Sequence, residues 1–341
     1  MKKVTIIGAG NVGATAAMNI ARMGICDTVV LLDIKEGVAE GKAMDIMQTL
    51  SIFGVPTNVI GITNDYSVTK ESDIYVITSG IPRKPGMTRE ELVGVNSKVV
   101  TSVMDGITKY CYDHIKEGDE EYHVQPKFVI VSNPMDTMCM CVLKYLQNKY
   151  PSSRETFYDQ IIGMGGLLDT NRFKYFIKNA LEKHFNKDNN DLFGNKNFNI
   201  NINDIYGYVV GGHGDTTMIP VYEDARWLSY PIKDILDFDE LNEIIENTMK
   251  GGATLTKLLG TSAWEAPAAG IAITVKAILN NEHKVIPCSS YGSPYKCFIG
   301  QMCTLGERGI EDIDYHCETI SRVQKKLLES AEAIKKVNQN I

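Results

Sequence analysis

Apolar positions in the first half of the chain fall into two alternating patterns. Short runs rich in β-branched residues cover 4–7, 28–32, 58–62, 74–78 and 128–132, and read as strands buried on both faces. Between them, 12–23, 38–50, 91–115 and 136–148 carry apolar residues at helical spacing. Strand and helix in alternation predict a doubly wound parallel sheet with helices on both sides, a Rossmann-type α/β fold. Past residue 150 the pattern changes: helices are expected over 169–183, 241–259, 266–279 and 314–337, and strands over 205–210, 285–287 and 296–304. That mixture predicts an α+β second domain. The loop Tyr150-Pro151-Ser152-Ser153 places the boundary, giving domains 1–150 and 151–341. Two polar segments, 117–126 and 186–203, read as surface loops, and no internal repeat is present.

A chain of 341 residues is long enough for two domains, and 44% apolar with 23% charged residues is ordinary for a globular protein. The net charge of −7 argues against a nucleic-acid partner. An anionic substrate must therefore be gripped by local cations. The opening MKKVTIIGAG reads as a first strand, since its apolar run ends at Gly8 without a cleavage pattern. No apolar stretch approaches the roughly 18 residues that a membrane span needs. The eight cysteines are scattered without a CxxC pair, which fits free thiols in a reducing cytoplasm better than disulfides or zinc. Cys139 and Cys141 fall on opposite sides of a predicted helix, so no shared metal is expected.

Gly8-Ala9-Gly10-Asn11-Val12-Gly13 is a GxGxxG that follows a predicted strand and opens a predicted helix. Gly8 allows the tight turn, Gly10 lets backbone approach a pyrophosphate, and Gly13 lets helix and strand pack closely. Asp33 ends the second strand twenty residues after Gly13, where a carboxylate grips a ribose 2′-hydroxyl. The same carboxylate repels a 2′-phosphate, so NAD is expected and NADP is not. Arg83 and Arg89 lie six residues apart on the Gly- and Pro-punctuated stretch SGIPRKPGMTREELVGVN. Arginine forks suit carboxylates, so this stretch reads as a lid over a small polyanion. His213, flanked by glycines in GGHGD, is the histidine best placed for acid/base work, though a structural role fits its local pattern equally well. Asp169 and Arg172 share one helix face. They read either as a helix cap with a local ion pair, or as the partner of His213 and a clamp on substrate carboxylate. Asn133 ends the fifth strand, either as a plain turn residue or as a contact to ligand.

Taken together, GAGNVG, LLD at Asp33, PRKPGMTR, VSNP, LLDTNRF and GGHGD have the order and spacing of the lactate/malate dehydrogenase family. The resemblance covers essentially the whole chain, including TSAWEAPAAG, and is nearest to the lactate-dehydrogenase-like bacterial malate enzymes. It implies an NAD enzyme without a metal. His213 would exchange the proton, oriented by Asp169, which raises its pKa. Arg172 would hold the carboxylate beside the reacting carbon, and Arg89 would polarise the carbonyl. Arg83 would read the far end of the substrate, where malate enzymes carry arginine and lactate enzymes glutamine. Gly8, Gly10, Asn11, Val12, Gly13, Asp33, Asn96, Val131 and Asn133 would face the cofactor, with Asn133 also touching substrate. The family implies a homotetramer or homodimer. Two departures are the longer 117–126 and 186–203 segments, and Trp264-Glu265 where relatives often have two aromatics. A lactate or broader 2-hydroxy-acid dehydrogenase is the alternative, with Arg83 as discriminator. A non-catalytic NAD(H)-sensing module is a second alternative, needing only the glycine loop and Asp33.

Overall fold

The computed structural model describes residues 1–82, 87–111, 125–151, 157–187, 199–292 and 294–341, without the side chains of Arg89 and Lys187. Arg83, the side chain of Arg89, and most of the 117–126 and 186–203 segments therefore lie outside the described residues.

The first half alternates as its pattern requires. β1 (Lys3–Ile7), α1 (Asn11–Arg22), β2 (Thr28–Asp33), α2 (Val38–Phe53), β3 (Asn58–Thr63), β4 (Ile74–Ile77), α3 (Arg89–Cys111), β5 (Lys127–Ile130), α4 (Met135–Lys149) and β6 (Ile161–Gly163) follow in turn. All six strands are parallel, in spatial order β3-β2-β1-β4-β5-β6. Successive side chains of a strand point to opposite faces. Ile6, Leu31 and Val76 accordingly join the core under α1 and α2, while Ile7, Leu32 and Ile77 join the one under α3 and α4. That two-sided burial is why these strands read as unbroken apolar runs.

β3 departs from the expectation of burial on both faces. It is the edge strand, and Val59 is its one buried residue. β6 was not expected at all, because three residues are too few to show a period. It nevertheless completes the parallel sheet, and it lies past residue 150.

The second half contains α5 (Gly166–Lys187), β7 (Ile205–Tyr206), β8 (Val209–Gly211), β9 (Met218–Pro220), β10 (Arg226–Trp227), β11 (Tyr230–Pro231), α6 (Phe238–Leu259), α7 (Glu265–Leu279), β12 (Lys284–Gly292), β13 (Cys297–Gly306), β14 (Gly309–Asp314) and α8 (Ser321–Asn338). The single strand expected over 205–210 is two strands in different sheets: β7 pairs β10, and β8 pairs β9 and β13. The helix expected from 314 starts only at Ser321, because β14 runs through Asp314 and a 3₁₀ turn, His316–Thr319, follows it. β12 pairs antiparallel with β6 through Ser289 opposite Gly163, so one sheet runs through both halves. α7 also packs its Ala268, Ile271 and Ala272 into the core that α1 covers. No helix among the described residues is long and apolar enough to cross a membrane. All eight cysteines are free thiols.

The glycine loop shows how closely α1 meets the sheet. Gly8 has φ of +107°, a region that favours glycine. A Cβ on Gly13 would lie 1.9 Å from the Gly8 carbonyl oxygen, whereas one on Gly10 would meet nothing within 4 Å. Gly13→Ala should therefore cost about 1–3 kcal/mol and lower Tm by several degrees, while Gly10→Ala should leave Tm nearly unchanged. Equal thermal shifts for the two variants would contradict this packing.

Candidate active site

The carboxyl ends of β1, β2, β4 and β5 meet where the strand order reverses, between β1 and β4. Ligands of doubly wound sheets bind in this crevice. Gly10 caps α1 without a side-chain hydrogen bond, so the first N–H groups of the helix stay available to an anion. Asn11 is the exposed first residue of α1, and Val12 packs against the core behind it. The Asp33 carboxylate reaches into the loop: Oδ2 accepts from Ala9 N–H at 2.6 Å, and Oδ1 from Lys35 N–H at 2.9 Å. Each oxygen keeps a lone pair for a ribose hydroxyl. An open face at Gly10, an uncapped helix and a carboxylate one strand away fit a dinucleotide.

A buried amide holds the neighbouring loops. Asn96 accepts from Ile81 N–H at 2.9 Å and donates to the Ile81 and Asn133 carbonyls at 3.2 and 2.6 Å. It thereby ties the loop after β4 to the loop after β5. Val131 donates its N–H to the Ile77 carbonyl and packs on the core, while the Asn133 side chain is exposed at the strand end.

The second cluster forms on α5 and the loop after β8. Asp169 lies inside the first turn of α5, with its N–H bonded to Gly165, so it is not the cap that its position first suggests. Its carboxylate is 2% exposed and serves two partners. Oδ1 accepts from Arg172 Nη1 at 3.1 Å, and Oδ2 pairs with His213 Nδ1 at 2.7 Å. A carboxylate only accepts, so Nδ1 carries the proton and Nε2 is left for a substrate hydroxyl or carbonyl. Burial by itself pushes the His213 pKa down. The Asp169 charge and hydrogen bond, with the Asp136 charge, outweigh burial and an opposing Arg172, and hold the imidazole above its ordinary value.

Two residues here went unread in the sequence. Asp136, in the first turn of α4, accepts from His213 N–H at 2.8 Å and from the Ser289 hydroxyl at 2.7 Å. In sequence it is an ordinary acidic residue at a helix start. Gly251, inside α6, lies under Arg172, where a Cβ would come 2.3 Å from Arg172 Cδ. A Gly-Gly pair inside a helix costs roughly 1 kcal/mol per residue relative to alanine, and that cost marks a close approach. Trp264, the residue before α7, donates its indole N–H to Glu265 at 3.0 Å. Thus His213, Asp169 and Arg172 come together directly, while Arg83 and the Arg89 side chain fall outside the described residues.

Comparison with known proteins agrees with this layout. Residues 2–154 match the lactate/malate dehydrogenase NAD binding domain, and residues 167–341 match the lactate/malate dehydrogenase alpha/beta C-terminal domain. Malate dehydrogenase of Bacteroides fragilis is 47% identical over 343 residues, covering 99% of this chain and 97% of that protein. The solved malate dehydrogenase of Cryptosporidium parvum superposes with a TM-score of 0.82 at 31% identity, covering 99% of this chain and 98% of the other. Lactate dehydrogenase of the same organism, complexed with lactic acid and NAD, gives 0.81 at 29% identity, covering 99% and 97%. The fold is thus shared by both kinds of enzyme. With both halves matched in order and nearly the whole length aligned to such a relative, the chain belongs to the lactate/malate dehydrogenase family.

Proposed function

We propose that this chain is an NAD-dependent malate dehydrogenase, which interconverts (S)-malate and oxaloacetate. The observation that carries this reading is the buried carboxylate of Asp169, shared between His213 and Arg172. It joins a proton-exchanging ring to a carboxylate clamp, as a 2-hydroxy acid requires. Malate is favoured over lactate by Arg83 in the sequence and by relatives of 47–49% identity named malate dehydrogenase.

NAD, when bound, supplies the hydride acceptor for the substrate carbon. The open backbone at Gly10, with the N–H groups of Asn11 and Val12, would receive its pyrophosphate on the turn that Gly8 and Gly13 shape, and Asp33 would take the ribose hydroxyls. Val131 and Asn133 would contact the cofactor, and Asn96 holds their loop in place. Arg172 grips the carboxylate next to the reacting carbon. His213 Nε2 takes the hydroxyl proton as malate is oxidised and returns it as oxaloacetate is reduced. Asp169 keeps the ring in the tautomer that allows both steps. Asn133 and Arg89 bind the reacting oxygen, and Arg83 pairs with the second carboxylate. With pyruvate bound, Arg83 would be an enclosed charge without a partner, at a cost of about 3–5 kcal/mol.

We assign residues 1–150 to NAD binding and residues 151–341 to catalysis, with β6 returning to finish the first unit's sheet. Exposed Met44, Ile52 and Phe53 on α2, and Leu255, Leu258 and Leu259 on α6, support a homotetramer or homodimer. The free thiols support a cytoplasmic location.

Initial rates of NADH oxidation should favour oxaloacetate over pyruvate, and Arg83→Gln should lower kcat/KM for oxaloacetate by roughly a hundredfold to a thousandfold. Comparable rates on the two acids in the unaltered protein would overturn the malate assignment. His213→Ala should lower turnover by roughly 10²–10⁴-fold and leave NADH binding intact. Undiminished turnover would remove His213 from the chemistry. Because the imidazolium is the form that donates, oxaloacetate reduction should weaken as pH rises through a His213 pKa above the ordinary value, and malate oxidation should strengthen over the same window. A reduction rate that climbs with pH in that window would reverse the assigned roles.

A further inference from the structure

The site contains a second buried carboxylate that the proposed reaction does not use. We propose that Asp136 is a positioning residue for proton transfer, clamping the main chain of His213 and setting a second negative charge beside its ring. This inference rests on reading His213 as the proton-transfer residue.

Both Asp136 oxygens act as acceptors: Oδ2 from His213 N–H at 2.8 Å, and Oδ1 from the Ser289 hydroxyl at 2.7 Å. The residue is only 7% exposed. Hydrogen bonding alone does not require a charge at this point. An asparagine would accept from His213 N–H through its oxygen and donate to Ser289 through its nitrogen, satisfying the same two groups. A buried carboxylate is costly unless its charge is used. The charges near at hand are the His213 ring and Asp169, and both interact electrostatically with Asp136.

Position in the fold gives the clamp its purpose. Asp136 lies on α4, three residues after Asn133 at the end of β5, whereas His213 follows β8 in the second half. Three residues span at most about 10 Å, so the strand end that would contact the cofactor is tied to the main chain of His213 by a short run of chain and one hydrogen bond. Ser289 stands opposite Gly163 where the parallel strands meet the antiparallel ones. The contact therefore fixes the catalytic loop to the cofactor side of the site at the seam of the sheet.

Among the described residues, the charged groups that face His213 are Asp169 and Arg172 from α5 and Asp136 from α4. The other elements packed on its loop present neutral hydroxyls: Ser289 from β12, Ser330 from α8 to Gly212 N–H at 2.9 Å, and Thr217 at the start of β9. Asp136 is thus one of two carboxylates that favour the imidazolium. Burial holds its own carboxyl above the ordinary carboxylate value, and the bonds from Ser289 and His213 N–H, with the His213 charge, offset only part of that rise.

The test is an NMR titration of the histidine rings in the unaltered protein and in Asp136→Asn, with His213→Gln identifying the resonance. No turnover is needed. Asp136→Asn should move the His213 midpoint to lower pH by about half a unit or more, since removing a negative charge weakens the cation. The falling limb of oxaloacetate reduction should move the same way. If Asp136→Asn does not fold, Ser289→Ala strips one donor from the carboxylate and should move the midpoint in the same direction by less. An unmoved midpoint in the variant that folds would overturn the inference, even with oxaloacetate turnover robust. A midpoint that moves in a protein without oxaloacetate turnover would sustain Asp136 as positioning His213 and sink the malate reading instead.

Discussion

One carboxylate has to satisfy two hydrogen-bond donors at once, an arginine and an imidazole, and much of the second half of the chain is arranged around that requirement. Asp169 is almost completely buried, with Arg172 on one oxygen and His213 on the other. An unpaired carboxylate at such depth would cost several kcal/mol. Neither partner arrives by chance. Arg172 is three residues along α5 and so shares the face of Asp169. It can lie flat because Gly251 leaves room in α6. His213 comes from a loop pinned on several sides, with Gly212 N–H shared between Ser330 and Thr217, and His213 N–H held by Asp136.

The sheet supplies the complementary half of the design. β1, β4 and β5 are buried on both faces, so their carboxyl ends are rigid supports for loops. Asn96 then fastens two of those loops together with a single side chain. β6 and β12 carry the sheet across to the strands that precede and support the His213 loop. The glycine-loop side and the His213 side are thereby parts of one hydrogen-bonded body, and the proposed hydride and proton transfers need that fixed separation.

How much of this could be read from the chain depended on the range of each constraint. Two-sided burial writes itself into a strand as an unbroken apolar run, so β1, β2, β4 and β5 were legible. Edge exposure leaves the composition of β3 much the same, so its position was not. β6 is too short for a pattern, and β7 and β8 look like one strand because the break at Gly207-Tyr208 is a matter of sheet partners. The glycine loop, Asp33 and the Asp169–Arg172 pair were legible because their geometry is local or motif-bound. Asp136 and Gly251 were not, since each takes its meaning from a residue many positions away that only the fold brings near.

The account stands or falls on the double duty of Asp169, and Asp169→Asn probes it directly. An amide offers one acceptor and one donor. It can hold the His213 Nδ1 proton or the Arg172 guanidinium, but it repels the other. Steady-state kinetics of the variant should show kcat reduced by roughly 10³–10⁴-fold, as when a proton-exchanging histidine loses its tautomer control, together with a raised KM for oxaloacetate from the loosened arginine. A loss below about tenfold with KM unchanged would contradict the claim that one carboxylate governs both the proton and the substrate clamp.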